Sequence, residues 1–227
     1  MGKPVIRLSS RAGYRIWAAT YDRDLNPLIA LEQRIAGPLL GPLAGKRVLD
    51  LCAGTGRWLA IASSMRAQVT GVDLSPEMLR QAARKNGLGR HIVAGDLACL
   101  PIRNRAADLA ICSFGLSYVS SVHVAFEEMA RVARRVIASD MHPAALRAGW
   151  NRSFEIGSRR FCLAHYVRSL DEIERAAAAA GLESEYNLEA CFGEPERALF
   201  EYLGKGWLFD RVSNIPAVYV KSWVGRC

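Results

Sequence analysis

The sequence predicts an α/β fold in which a doubly wound, parallel sheet is covered by helices on both faces. Two observations carry this: short apolar runs alternate with helix-patterned segments from residue 45 to residue 140, and cap or turn residues separate them. A third, the length of 227 residues with 51% apolar and 23% charged residues, fits one compact domain and excludes a disordered chain, a collagen-like repeat or a disulfide-built miniprotein.

The elements follow in order. A helix is expected between Pro27 and Gly37, ahead of the alternation. The run Arg47 to Cys52 reads as a buried strand, followed by a helix from about Arg57 to Met65, and Gln68 to Asp73 forms the second strand. Ser75 then stands as an N-cap, Pro76 at the favoured first helical position and Glu77 in the first turn, where the helix dipole favours an acid. That helix should run to about Asn86, with Gly87 as its stop. His91 to Gly95, Ala107 to Ser113 and Arg134 to Asp140 supply strands three to five. After Asp140 the alternation breaks for about thirty residues, rich in aromatic and arginine side chains, and so long a connection is more often functional than accidental. Ser169 with Glu172 then forms a capping-box pattern for a helix ending at Gly181, and strand-like stretches near residues 182–192 and 217–224 close the chain. The expected parts are an N-terminal helical cap over 1–43, a binding half over 44–140, a cover over 141–168 and a C-terminal helix with strands over 169–227.

Thirty basic and 22 acidic residues leave a net charge of +8, which by itself keeps nucleic acid or an acidic surface open as a partner. Most basic residues are scattered among acids, which argues against it; the exception is Arg7, Arg11 and Arg15, whose spacing of four would place them on one helical face. Six cysteines with no CxxC pair and no short spacing to histidine signal neither a metal site nor a disulfide framework, and fit a reducing cytoplasm. The N-terminus lacks the apolar core of a signal peptide, and Ile6 stands where a myristoylation signal wants Ser or Thr. Residues 109–126 carry no Asp, Glu, Lys or Arg, but their serines, glycine and His123 suit a strand, a loop and a helix start better than a membrane span.

The chemistry concentrates in VLDLCAGTGRW, Val48 to Trp58, and in GVDLSPEML, Gly71 to Leu79. Gly54 and Gly56 sit where a strand turns into a helix, so backbone can approach a ligand closely. Asp73 ends the second strand, where its carboxylate can accept both hydroxyls of a ribose at the ligand-binding edge of an open α/β sheet. A dinucleotide fingerprint would want a third glycine, but Leu59 occupies that position, and Asp50 four residues before Gly54 would repel a pyrophosphate. It suits a ligand with a cationic amino group and a sulfonium.

At these residues the chain resembles the class I S-adenosylmethionine-dependent methyltransferases, in particular their type 11 or UbiE-like small-molecule branch, over roughly residues 14–140. The resemblance implies a Rossmann-like, doubly wound, mostly parallel seven-stranded sheet with an antiparallel last strand, and S-adenosylmethionine as cofactor. Carried over residue by residue, it implies that Asp50 and the loop Cys52, Ala53, Gly54, Thr55 and Gly56 form the first motif, with Cys52 in place of its first glycine. It further implies that Asp73 binds the ribose, that Leu74 and Met78 pack near the adenine, and that Asp96 with Leu97 forms the third motif, whose acid meets the adenine amino group. Ser113 to Tyr118, with Ser113, Phe114 and Tyr118 as the named candidates, match the loop beside cofactor and substrate, and Tyr21 matches a tyrosine that caps the methionine end. Trp58, Phe114 and Tyr118 suit a core as well as a site.

Methyl transfer from a sulfonium is an in-line displacement in which proximity and exclusion of water do most of the work. A histidine at the mouth would help a hydroxyl acceptor. His142, after the fifth strand, is the first candidate and His165 the second, with His123 weaker. Arg152 is a candidate for a substrate carboxylate, and Tyr166 joins it in the expected cover. The (D/N/S)-P-P-(Y/F) loop of exocyclic-amine methylation is missing, since Cys112, Ser113, Phe114 and Gly115 stand there. The sequence thus points to a cytoplasmic methyltransferase acting on a small organic acceptor, by O- or C-methylation in preference to N-methylation, with no nucleic acid, membrane or metal partner. An RNA or protein methyltransferase and a non-catalytic binding protein that keeps the cofactor fold are the alternatives. An NAD oxidoreductase is disfavoured by Asp50 and Leu59.

Overall fold

The computed structural model describes residues 4–23, 25–85 and 88–226, with Arg90 described by its backbone alone. The chain opens with β1 (Val5–Leu8), α1 (Ser10–Trp17) and α2 (Pro27–Ala36). The alternation follows as β2 (Arg47–Leu51), α3 (Arg57–Ser64), β3 (Gln68–Asp73), α4 (Pro76–Ala83), β4 (Ile92–Ala94), β5 (Ala107–Ser113), α5 (Val122–Val132) and β6 (Ala133–Met141). Then come α6 (Pro143–Arg147), β7 (Ser153–Ile156), β8 (Arg159–Leu163), α7 (Leu170–Ala179), β9 (Leu182–Ala190), α8 (Glu194–Tyr202), α9 (Gly206–Val212) and β10 (Val218–Gly225).

Seven strands form the main sheet in the order β4, β3, β2, β5, β6, β10, β9. The pairs from β4 to β6 are parallel, and β10 runs antiparallel to both β6 and β9. This is the doubly wound, mostly parallel architecture with an antiparallel last strand that the resemblance implies. The period of two along each strand divides the core between the two faces. Leu49, Ala110, Cys112, Val136, Tyr219 and Trp223 pack with α5 and α7 on one side. Val48, Leu109, Ile111, Ile137, Val218 and Val220 pack with α2, α3, α8 and α9 on the other.

The expected caps are in place: Ser75 Oγ accepts the Met78 N–H at 3.3 Å, and Ser169 Oγ accepts the Glu172 N–H at 3.1 Å. Asn86 and Gly87, where the sequence puts the end of the fourth helix, lie outside the described residues. The uncharged stretch 109–126 divides between β5, a short 3-10 turn and α5. Among the described residues no helix is long and apolar enough to cross a membrane.

Three features depart from the sequence expectation. The stretch after Asp140, where the sequence shows only a break in the alternation, holds α6 and the hairpin β7–β8. The N-terminal segment adds β1 and α1 to its expected helix, and β1 pairs in parallel with β8 to make a separate three-stranded sheet in the order β1, β8, β7. Arg7 therefore belongs to a strand, and only Arg11 and Arg15 share the α1 helix. Two helices, α8 and α9, stand between β9 and β10. Each missed strand has only four or five residues and little apolar alternation, so its pairing is set by a partner distant in sequence. Gly13 makes this docking possible, since a Cβ there would lie 1.9 Å from Leu163 Cδ2 of β8.

Gly56 closes the turn from β2 into α3 at φ +78°, and a Cβ there would stand 3.1 Å from the Cβ of Ala82 in α4. Gly56→Ala is expected to lower the free energy of unfolding by ~1–2 kcal/mol. Urea denaturation checks this; an unchanged midpoint would mean that the turn does not need the left-handed conformation.

Candidate functional site

Parallel pairing brings the C-terminal ends of β2, β3, β4 and β5 to one edge of the sheet, where a cavity of about 790 Å3 opens. Its floor is made by Asp50 with the loop after β2, by Asp73 to Ser75 after β3, by Gly95 to Ala98 after β4 and by Ser113 to Gly115 after β5. Its roof comes from Tyr14 and Tyr21 near α1, Leu25 and Ile29 near α2, and Tyr118 and Tyr166.

Asp73 ties two of these strand ends together. One carboxylate oxygen accepts the Gly54 N–H at 2.8 Å and the other accepts the Ser75 N–H at 2.8 Å. A carboxylate oxygen has two acceptor directions, so each retains one for a ligand. Burial raises the Asp73 pKa, and these two N–H groups work against the rise.

Asp50 is more deeply placed, 3% exposed, and its Oδ2 accepts the Leu59 N–H at 2.8 Å in the first turn of α3. Burial pushes its carboxyl from 3.8 up to about 7, against the lowering influence of Leu59 N–H and Arg57, with Asp73 and Glu32 adding to the rise. Two neighbouring acids, one of them deeply buried, make a site that favours a cation.

The floor is also strained. Cys52 and Phe114, each just beyond a strand end, adopt left-handed φ values of 58° and 52°, a region that residues with a Cβ rarely visit. The loop is held from above by Thr55, whose hydroxyl donates to Asp22 Oδ1 at 2.7 Å, and Asp22 in turn pairs with Lys85 at 3.0 Å.

Fifteen of the residues singled out from sequence line this one cavity: Tyr21, Asp50, Cys52, Ala53, Gly54, Thr55, Asp73, Leu74, Met78, Asp96, Leu97, Ser113, Phe114, Tyr118 and Tyr166. Asp96 is exposed and its Oδ1 accepts the Ala98 N–H at 2.9 Å, while Leu97 and Met78 are buried. Gly56 shapes the turn without facing the cavity, and Arg152 lies behind the wall formed by Tyr21 and Phe114, donating to Tyr21 Oη at 2.8 Å.

The histidines correct the sequence reading. His142 Nδ1 accepts the Ala144 N–H at 3.0 Å, capping α6, and the opposite ring nitrogen faces Glu189 Oε2 of β9 at 2.8 Å. The cap fixes Nδ1 as acceptor, so Nε2 carries the proton and donates it to Glu189. His165 Nδ1 faces the Leu163 carbonyl at 3.2 Å. Among the described residues no histidine lines the cavity. A position just after a strand end suits a helix cap as well as a base, and the direction of the ring is a tertiary property.

The sequence reading also missed a buried network beneath Ser113. Glu32 of α2 is fully buried; its Oε1 accepts from Trp58 Nε1 at 3.2 Å, Ser113 Oγ at 2.9 Å and Ser139 Oγ at 2.6 Å, and its Oε2 meets Arg57 Nη2 at 2.6 Å. Ser113 is thereby committed to Glu32 and Arg57 as well as bordering the cavity. The available signal was an acid inside the apolar stripe of the helix from Pro27 to Ala36. Tyr14 was missed too, although Tyr14, Trp17 and Tyr21 recur at helical spacing.

Comparison with known proteins bears on the fold and on the domain type. Residues 48–136 match the family model of a methyltransferase domain. A demethylmenaquinone methyltransferase of Staphylococcus aureus is 36% identical over 123 residues, which cover 49% of this chain and 50% of that protein. The chain thus matches about half the length of such curated relatives. Among solved structures, an S-adenosylmethionine-dependent methyltransferase from Mesorhizobium loti superposes with a TM-score of 0.67 at 22% identity, covering 86% of this chain and 97% of that one. The [4+2]-cyclase SpnF gives 0.64 at 17% identity, covering 99% and 98%. At these identities the structural likeness speaks to the fold.

The Asp50 carboxyl keeps its proton up to about pH 7 in the folded protein but only to 3.8 when unfolded, so stability falls as pH rises between those values. In Asp50→Asn this slope should be absent. The variant's stability relative to the parent is expected to grow by about 2 kcal/mol from pH 5 to pH 8. Urea unfolding of both proteins at several pH values measures it, and parallel pH profiles would show that Asp50 titrates normally.

Proposed function

We propose that the chain, whose residues 48–136 match a methyltransferase-domain family model, is a class I S-adenosylmethionine-dependent methyltransferase of the UbiE-like type that transfers a methyl group from S-adenosylmethionine to a small organic acceptor by O- or C-methylation. The observation that carries this reading is the Asp73 carboxylate, fastened between Gly54 N–H and Ser75 N–H at the edge of the cavity. It is oriented before any ligand arrives, and its remaining lone pairs suit the two hydroxyls of a ribose.

The donor set fits the cofactor. Asp50 takes the cationic amino group, whose charge offsets the cost of ionising this buried acid. The backbone from Cys52 to Thr55, in the turn that Gly56 shapes, follows the methionine chain, Leu74 and Met78 flank the adenine, and Asp96 with Leu97 meets its edge. Tyr21 covers the methionine end, and Ser113 borders the junction of cofactor and acceptor. When bound, the sulfonium supplies an activated methyl group and a thioether leaving group.

The remaining tasks belong to this chain's side chains. Phe114, Tyr118 and Tyr166 form the wall on which the acceptor lies, and Arg152 stands behind it. Segments 1–43 and 141–168 act together as the cover that excludes water, since β1 of the first pairs with β8 of the second. A cavity of about 790 Å3 lies in the range of small-molecule sites, which favours a metabolite over an RNA or protein acceptor. The relative from Staphylococcus aureus, named for a demethylmenaquinone acceptor, supports a small acceptor as well. A cytoplasmic setting accords with the free cysteines among the described residues.

Calorimetric titration with S-adenosylhomocysteine, and separately with NADH, tests the cofactor; binding of NADH alone would overturn the reading. Asp73→Ala is expected to weaken S-adenosylhomocysteine by about 2–3 kcal/mol, as loss of a charged acceptor of two hydroxyls implies. Unchanged affinity in a folded Asp73→Ala protein would remove the ribose assignment.

A further inference from the structure

Behind the cavity wall lies a cationic group that has no hydrogen-bonded counter-ion among the described residues. Arg152 is 6% exposed, and only its Nη2 finds a partner, the Tyr21 hydroxyl at 2.8 Å. Its Nε and Nη1 are buried with no hydrogen-bond partner, and so is Nε1 of Trp17, over whose ring the guanidinium stands at 5.8 Å. Three of the four orphaned side-chain donors among the described residues therefore gather in one aromatic nest. Native proteins leave few such groups, and a buried guanidinium without a carboxylate is costly.

The neighbouring acid attracts the guanidinium but does not fill its hydrogen-bond deficit. Asp140 is buried close by, but its oxygens accept the Ser117 and Met141 N–H groups at 2.8 Å each, and it forms no ion pair with Arg152. The other neighbours are Tyr14, Tyr21, Tyr118 and Phe114, whose ring lies 4.9 Å below the guanidinium. All four line the cavity, so the nest adjoins the space assigned to the acceptor. Three donors with no acceptor call for a ligand that brings only lone pairs, and a fixed positive charge calls for a negative one. The flat aromatic walls suit a conjugated body attached to that charge.

We propose that Arg152 anchors the methyl acceptor through an anionic oxygen, a carboxylate, phenolate or enolate carried on a planar conjugated body, drawn into the nest beside Trp17, Tyr14 and Tyr118. The proposal rests on the methyl-transfer reading and narrows its substrate class. It also accounts for a cavity lined by no histidine among the described residues. An acceptor held as the anion already has the electron pair for the new bond to the methyl carbon. As that bond forms, the carbon–sulfur bond breaks and leaves its pair on sulfur, so one negative and one positive charge cancel and an oxygen acceptor gives up no proton to the protein. With a carbon acceptor the displaced ring proton leaves to solvent.

The test uses the full chain, with and without saturating S-adenosylhomocysteine, and four probes: benzoate and 4-nitrophenolate as the two anions, benzamide and benzyl alcohol as neutral counterparts. Calorimetry and intrinsic tryptophan fluorescence report binding. At least one anion is expected to bind about tenfold more tightly than its neutral counterpart; Arg152→Gln should abolish that preference and Arg152→Lys should keep part of it. Preference for benzoate would identify a carboxylate acceptor, and preference for 4-nitrophenolate a phenolic or enolic one. Neutral probes binding as well as anions, an anion preference that survives in Arg152→Gln, or no anion binding at about 10 mM would each overturn the proposal. If Arg152→Gln does not fold, the comparison of anions with neutral probes on the parent protein and on Arg152→Lys still decides. Failure of S-adenosylhomocysteine to bind would sink the methyltransferase reading instead, and the anion preference is read independently of it.

Discussion

Parallel pairing of β2 on both of its edges is the constraint from which the site follows. Asp50 stands opposite Gly71 of β3 and Ile111 of β5, and Leu51 stands opposite Val72 and Cys112. Because all three strands run the same way, their ends emerge at one edge, and the turns after them become the floor of a single cavity. The same register points Asp50 toward α3, where Leu59 N–H meets its carboxylate. A slip of one residue would turn Asp50 to the opposite face and bring Leu49 and Leu51 to the α3 side.

Charge is distributed unevenly over that floor. Glu32 and Arg57 satisfy one another with help from Trp58, Ser113 and Ser139, so their network joins α2, α3, β5 and β6 and keeps its shape without a ligand. Asp50 has no such cationic partner at hydrogen-bond distance among the described residues and holds its proton up to about pH 7. Arg152 has a cationic head and too few acceptors. The protein thus presents a buried acid in the cavity floor and, behind the wall, a buried cation, neither of them in an ion pair at hydrogen-bond distance among the described residues. In a low dielectric each of these groups favours a ligand of opposite sign.

The roof depends on contacts between segments far apart in sequence. β1 joins β8, Thr55 reaches Asp22, Arg152 reaches Tyr21, and Tyr166 N–H donates to the Ser117 carbonyl at 2.8 Å. The bidentate pair of Arg34 with the buried Glu196, at 2.9 and 2.8 Å, fastens α2 to α8 on the flank. The cover is held by these hydrogen bonds and the short sheet together with its own buried cluster of Trp17, Phe154 and Leu163.

By itself the sequence determined the alternating strands and helices, the caps at Ser75 and Ser169, and the stretch from Asp50 to Gly56 with Asp73 and Asp96 at successive strand ends. These are local properties: apolar runs, cap chemistry and glycines at turns act within a few residues of themselves, and the order of motifs along the chain fixes their place on a parallel sheet. Only the tertiary structure decided that β1 would seek β8, since four residues with weak alternation have no preferred partner until the cover is in place. It also decided that His142 caps a helix and faces Glu189, that Glu32 lies within a polar network rather than on a surface, and that Arg152 remains short of acceptors behind the cavity. Those outcomes depend on the direction of a side chain and on what approaches it from elsewhere in the chain, and neither is encoded in the spacing of residue types.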